Sequence, residues 1–124
     1  MYDHIGLQVK DLEASIRFYE ASLAPLGCVV TSRDATYAGF GPSKDVSTLW
    51  LHPNPPKAKG GTHVAFHAKD RAAVDRFHRA GLDAGGRDNG APGVRRDYGS
   101  HYYAAFLLDP DGHNVEAVCL RASP

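Results

Sequence analysis

The chain of 124 residues has no apolar run near the roughly 18 residues that a membrane-spanning helix requires, and nothing at its start reads as a secretory leader, because Met1 is followed at once by Tyr2, Asp3 and His4. It also lacks an excess of charge of one sign. Fourteen basic and fourteen acidic residues cancel, so the electrostatic footprint that a phosphate-backbone binder needs is missing. Neither nucleic acid nor a membrane is expected as a partner, and a cytoplasmic location is expected. Cysteine is scarce: Cys28 and Cys119 stand alone in the apolar contexts GCVV and AVCLR. That excludes a disulfide framework or a metal knuckle and fits buried thiols in a reducing compartment. What is present, 43% hydrophobic and 23% charged residues, suits one compact domain.

The most informative feature is a repeat. Sliding the chain against itself by 59 positions pairs His4 with His63, Lys10 with Lys69, Asp11 with Asp70, Ala14 with Ala73, Arg17 with Arg76 and Phe18 with Phe77. A period this long implies two copies of one supersecondary unit. Each copy begins with strict alternation: Ile5, Leu7 and Val9 against His4, Gly6 and Gln8, then Val64, Phe66 and Ala68 against His63, Ala65 and His67. Asp11 and Asp70 are N-cap residues for helices that Gly27 and Gly81 close. Short strands follow in CVVTSR, ATYAGFG and VSTLWLH, then in a weak segment near residues 82 to 87, HYYAAFLL and HNVEAVCL. The expected fold is α+β, with two β-α-β-β-β modules forming a partly open barrel around a central cavity. Module one spans 1–52, the Pro- and Gly-rich connector 53–61, and module two 62–124.

The turn DPDG, Asp109 to Gly112, suits a four-residue type I turn between the last two strands. In that register Ala105 opposes Glu116 and Tyr103 opposes Val118, which would aim Tyr103, with His101, into the cavity. Glu116 alternates with Val115 and Ala117, so it either reaches solvent or points inward with the two repeated histidines. If inward, His4, His63 and Glu116 form a two-histidine, one-carboxylate set that suits a divalent ion with open coordination positions.

DHIGLQVKDLEASIRFYEASLAPLG, the repeated THVAFHAKDRAAVDRF, and FLLDPDGHNVEAV together resemble the vicinal oxygen chelate superfamily. That superfamily includes glyoxalase I, extradiol dioxygenases and bleomycin-resistance proteins. The resemblance implies metal ligands at His4, His63 and Glu116, a divalent ion (Fe, Mn, Ni or Zn) and a homodimer. It also implies a small-molecule substrate chelated through neighbouring oxygens, in a lyase or isomerase reaction or a ring-cleaving oxygenation. The alternative is a non-catalytic binding protein of the bleomycin-resistance type. Glyoxalase I carries a fourth, acidic or amide ligand on the last strand of module one, where STLWLHP offers Trp50, or His52 if the register shifts. Around the metal, His67 and Tyr103 are candidate acid-base groups. Gln8, Trp50, His52, Arg95 and His101 are candidate substrate contacts, with residues 85 to 101 read as a loop over the cavity mouth. His78, on the second helix, is expected to be exposed.

Overall fold

The computed structural model describes residues 1–122, so the final two residues assigned to module two lie outside the described residues. Module one consists of β1 (Ile5–Val9), α1 (Leu12–Leu23), a 3-10 turn (Ala24–Leu26), β2 (Val29–Arg33), β3 (Ala38–Gly41) and β4 (Leu49–Pro53). Module two repeats the plan with β5 (His63–His67), α2 (Arg71–Asp83), β6 (Arg87–Val94), β7 (Tyr103–Leu108) and β8 (Asn114–Cys119). Each sheet has four strands, ordered β1-β4-β3-β2 and β5-β8-β7-β6. In each, the first strand pairs in parallel with the last and the rest is antiparallel.

The local causes match the repeat. Asp11 and Asp70 are extended N-caps whose carboxylates accept from the backbone N–H of Ala14 and Ala73, satisfying a donor that each helix start would leave free. Gly27 ends the first helical segment at φ 87°, a conformation that favours glycine. Gly81 does not close α2. The helix continues to Asp83 because Gly81 is needed inside it: a Cβ there would overlap Leu107 and press on Phe18 and Ser22. That close approach is where α2 crosses α1 and β7 and joins the modules.

The apolar faces of both sheets and helices merge into one core, in which Leu7, Val9, Phe18 and Leu51 meet Phe77, Leu107, Val115 and Ala117. The core therefore lies on the helix side of both sheets, and their opposite faces, with His4, Gly6 and Gln8 on one and His63, Ala65 and His67 on the other, are exposed. The two sheets do not close into a barrel. The expected central cavity is replaced by separate pockets on the two exposed faces.

The loop before β8 joins the modules further. The Tyr19 hydroxyl donates to Asp109 at 2.6 Å, Lys10 N–H donates to Asp111 at 2.9 Å, and His113 Nε2 lies 3.3 Å from the Gln8 carbonyl. Thr62 N–H donates to His113 Nδ1, so Nε2 carries the ring proton and gives it to Gln8. Burial and the Asp109 carboxylate push the Tyr19 phenol well above its ordinary pKa, which keeps it a donor.

This loop also corrects the register. It has five residues, Asp109 to His113, because the Asp109 carboxylate accepts from the N–H groups of both Asp111 and His113. Glu116 consequently faces Phe106, and Tyr103 faces Cys119. A slip of one residue reverses every side chain of a strand. Tyr103 therefore sits on the helix side, where it donates to Asp75 at 2.6 Å beneath the Arg71 guanidinium. The 85–101 stretch is likewise not all loop, since Arg87–Val94 forms the edge strand β6, with two register shifts around Gly90 that erase the alternation a strand normally shows. His78 is buried rather than exposed, its Nε2 2.9 Å from the Asp88 carboxylate on that strand.

Candidate functional site

The exposed face of module two carries a three-residue polar cluster. His63 projects from β5 and Glu116 from β8, on adjacent parallel strands where Ala65 is the direct partner of Glu116. The small side chain of Ala65 leaves His63 Nε2 3.0 Å from Glu116 Oε1. The other carboxylate oxygen accepts from the Tyr102 hydroxyl. Glu116 is only 2% exposed, while half of the His63 side chain meets solvent, so the pair forms the floor and rim of one site. The His63 ring also stacks on Phe106 at 6.4 Å.

The arrangement has a specific electrostatic demand. His63 Nδ1 lies 3.1 Å from the Asn114 carbonyl, which can only accept, so the ring proton belongs on Nδ1 and the Nε2 lone pair points at a carboxylate oxygen. Two lone pairs that close need a cation between them, either a second proton on the imidazole or a metal ion. A backbone carbonyl that fixes the tautomer in this way is the usual support of a metal-ligating histidine. Tyr102 adds a held proton, since burial, together with its hydrogen bond to Glu116, pushes its phenol up to about 12.

Module one presents a different face. His4, just before β1, holds its Nδ1 2.6 Å from the exposed Asp3 carboxylate. With Gly6, Tyr37, Trp50 and His52 it lines a pocket of about 550 Å³. His4 and the His63–Glu116 pair stand on different sheets, and among the described residues no three histidine, cysteine, aspartate or glutamate side chains gather to hold a metal. Within one chain His4 is therefore not brought beside His63 and Glu116.

The remaining expected residues are dispersed. Arg95 lies beside the module-two cluster, over the ring of Phe106 at 5.3 Å, pinned to the carbonyls of Gly93 and Ala91, and borders a pocket of about 610 Å³ with Asn114 and Tyr98. Gln8 lines a separate cleft with Lys57, Thr62 and His113. His67 lines another with Leu26 and Leu120. His101 is exposed in the turn before β7, and Tyr103 is on the opposite side of its sheet. Tyr102 is the residue that sequence reasoning passed over. The signal was present, because Tyr102 shares the parity of Ala104 and Phe106 once His113 is counted within the loop.

The profile of the Glyoxalase/Bleomycin resistance protein/Dioxygenase superfamily matches residues 2–117. The chain belongs to that superfamily. An uncharacterized protein of Bacillus subtilis (strain 168) is 32% identical, over 93% of this chain and 95% of its own length. A glyoxalase/bleomycin resistance protein from Albidiferax ferrireducens T118 superposes with a TM-score of 0.80 at 28% identity, over 96% of this chain and 98% of that one. A glyoxalase I mutant from Zea mays superposes with a TM-score of 0.73 at 28% identity, over 94% of this chain but only 45% of that one. The superfamily thus accounts for the repeat and for the shared module plan.

Proposed function

We propose that the protein is a metal-dependent enzyme of the glyoxalase or dioxygenase type, acting on a small molecule that chelates through neighbouring oxygens. The observation that carries this reading is the His63–Glu116 pair, whose facing lone pairs at 3.0 Å call for a cation. His63 and Glu116 would hold a divalent ion together with His4. Because one chain keeps these donors on separate sheets, His4 comes from a second copy, and the functional unit is a homodimer. The ion, when bound, supplies Lewis-acid stabilisation of an enediolate or catecholate oxygen. The chain's own residues do the rest: the Asn114 carbonyl orients His63, the Tyr102 hydroxyl donates to Oε2 of Glu116, and Phe106 and Arg95 wall the adjoining pocket.

A second reading, a binding protein of the bleomycin-resistance type, is favoured by Trp50, which stands where glyoxalase I carries a further ligand. Metal analysis of the purified protein separates the two. The enzyme reading expects a stoichiometric divalent ion that His4→Ala, His63→Ala and Glu116→Ala each remove. Mixing His4→Ala and Glu116→Ala chains through a denaturation and refolding step tests the dimer: shared sites recover about a quarter of the metal on statistical pairing, and intrachain sites recover none. Oxygen uptake with catechols under Fe(II), against hemithioacetal turnover under Ni(II) or Zn(II), then divides dioxygenase from isomerase. A folded protein without a stoichiometric ion, indifferent to all three substitutions, would leave the binding reading standing.

A further inference from the structure

The parallel pairings of the two modules give a residue-by-residue equivalence. Gly6 faces Trp50 as Ala65 faces Glu116, and on the next strand Gly39 faces Trp50 as Phe106 faces Glu116. Module one therefore has a tryptophan where module two has its carboxylate, and a glycine where module two has its phenylalanine. The exchange is sterically coupled. A Cβ on Gly39 would stand 2.7 Å from Trp50 Cζ3 and 2.8 Å from the Thr31 hydroxyl, so no other residue lets the indole lie across β3.

Trp50 is half-buried, not sealed into the core, and its ring forms a wall of the 550 Å³ pocket. Tyr37 stands beside it with ring centroids 5.6 Å apart and planes 50° apart, which makes an angled aromatic corner. The imidazole of His52 comes within van der Waals distance of where a Gly6 Cβ would be, so Gly6 keeps the mouth open. His4 and His52 supply the nitrogen donors or acceptors at the rim. Among the described residues no lysine, arginine or carboxylate lines the pocket. A flat face, an edge ring and two imidazole hydrogen-bonding groups select for a planar unsaturated ring bearing a hydroxyl or carbonyl oxygen.

We propose that the module-one pocket is a ring-binding platform, in which Trp50 stacks on an oxygen-bearing aromatic ligand while Tyr37 closes on its edge. The platform holds such a ring whether or not the protein is an enzyme; that the ring belongs to a substrate rests on the reading above.

Trp50 is the chain's single tryptophan, so its indole N–H gives one resolved resonance in a proton–nitrogen correlation spectrum of the intact protein. The probe is 2-naphthol, compared with its saturated analogue decahydro-2-naphthol, which has the same skeleton and hydroxyl but no π-face. Neither chelates a metal. The expected result is a saturable shift of the indole resonance with 2-naphthol and at least several-fold weaker binding of the saturated analogue by calorimetry. Trp50→Phe should retain affinity within a few-fold, and Trp50→Leu should weaken it roughly tenfold, the scale of a lost aromatic pair together with its buried area. Tyr37→Leu, which keeps the reporter, covers the case in which Trp50→Leu does not fold and should weaken binding several-fold. Equal affinity for the two naphthols, no saturable indole shift, or a folded Tyr37→Leu protein that binds 2-naphthol unchanged would overturn the platform. The two readings fail separately: loss of the metal with naphthol binding intact sinks only the enzyme, and the reverse sinks only the platform.

Discussion

The two modules share a backbone plan and differ in what they mount on it. Both run strand, helix and three strands with the last strand beside the first, both cap the helix with an aspartate, and both place a histidine at the entry of the first strand. On the exposed face they part. Module two gathers His63, Glu116 and Tyr102, and module one gathers His4, His52, Trp50 and Tyr37. Of the repeat's identical pairs, Phe18 and Phe77 are buried in both copies and meet in one shared interior, whereas face residues such as Gly39 and Trp50 have changed together. The comparison separates what the fold requires from what the chemistry selects.

The strongest way to break the comparison is at the turns before the last strands. In module two Asp109 is 1% exposed and accepts from Tyr19, Asp111 and His113, which ties the turn to α1. In module one the equivalent turn carries the local Ser43–Val46 bridge and bonds to its own sheet, from the Thr48 N–H to the Phe40 carbonyl and between the Ser47 and Thr31 hydroxyls. Asp109→Ala strands several buried donors and should cost about 3 kcal/mol or more in urea unfolding, while Asp45→Ala should stay within about 0.5 kcal/mol. Tyr19→Phe, which removes one of the three donors, should fall between them.

A second way is to give module one the residue that module two has. Trp50→Glu installs a carboxylate at the position equivalent to Glu116. On the metal reading it supplies a further charged oxygen donor and should tighten divalent-ion binding by roughly tenfold or more, measured by competition with a chelator. It should also abolish 2-naphthol binding. A variant that binds metal no better than the parent would break the proposed assembly of module one against module two of another copy.

The repeat made the modules, both helix caps and the paired histidines legible, because identities at a fixed offset report backbone equivalence directly. It did not reveal that the helix faces, not the histidine faces, meet in the core. Alternation shows that a strand has two sides, and both sides of β1 looked usable: one apolar, the other a small-residue lining. Tyr103 was misplaced because the DPDG turn takes in His113 through a side-chain bond that no four-residue turn rule contains. The same missing residue hid Tyr102. The strand at Arg87–Val94 was hidden for another reason, since its bulges around Gly90 remove the period by which strands are recognised.

Alkaline titration sharpens the comparison in a third way, because the phenols held high all donate to carboxylates of module two. Tyr102 donates to Glu116 and Tyr103 to Asp75, each pushed up to about 12 by burial first and the carboxylate second. Tyr19 is raised by the same causes through Asp109. A phenol whose folded pKa lies above its unfolded value stabilises fully below the unfolded value, and that stabilisation is lost as pH rises through the window up to the folded value. Urea midpoints should therefore be flat up to about pH 10 and fall between about 10 and 12. Tyr102→Phe combined with Tyr103→Phe should reduce that slope. A slope unchanged in the double variant would assign the alkaline loss to Tyr19 and its bond to Asp109.

The smallest expected effect tests the part that the modules have in common. Asp11 accepts from Ala14 N–H at 3.1 Å in an exposed setting, and Asp70 accepts from Ala73 N–H at 2.8 Å in a part-buried one. Each substitution by alanine removes one cap and should cost about 1 kcal/mol. The Asp70 cap should be the costlier by a few tenths, because the N–H it leaves free has less access to water. If the modules behave as equivalent scaffolds, the two losses are similar and add in the double variant, since separate sites without shared partners act independently. A much larger loss at Asp70 would instead place the stability of the shared core with α2, whose Gly81 crossing against Phe18, Ser22 and Leu107 has no counterpart on α1. Guanidinium unfolding of the two single variants and the double variant decides between these outcomes.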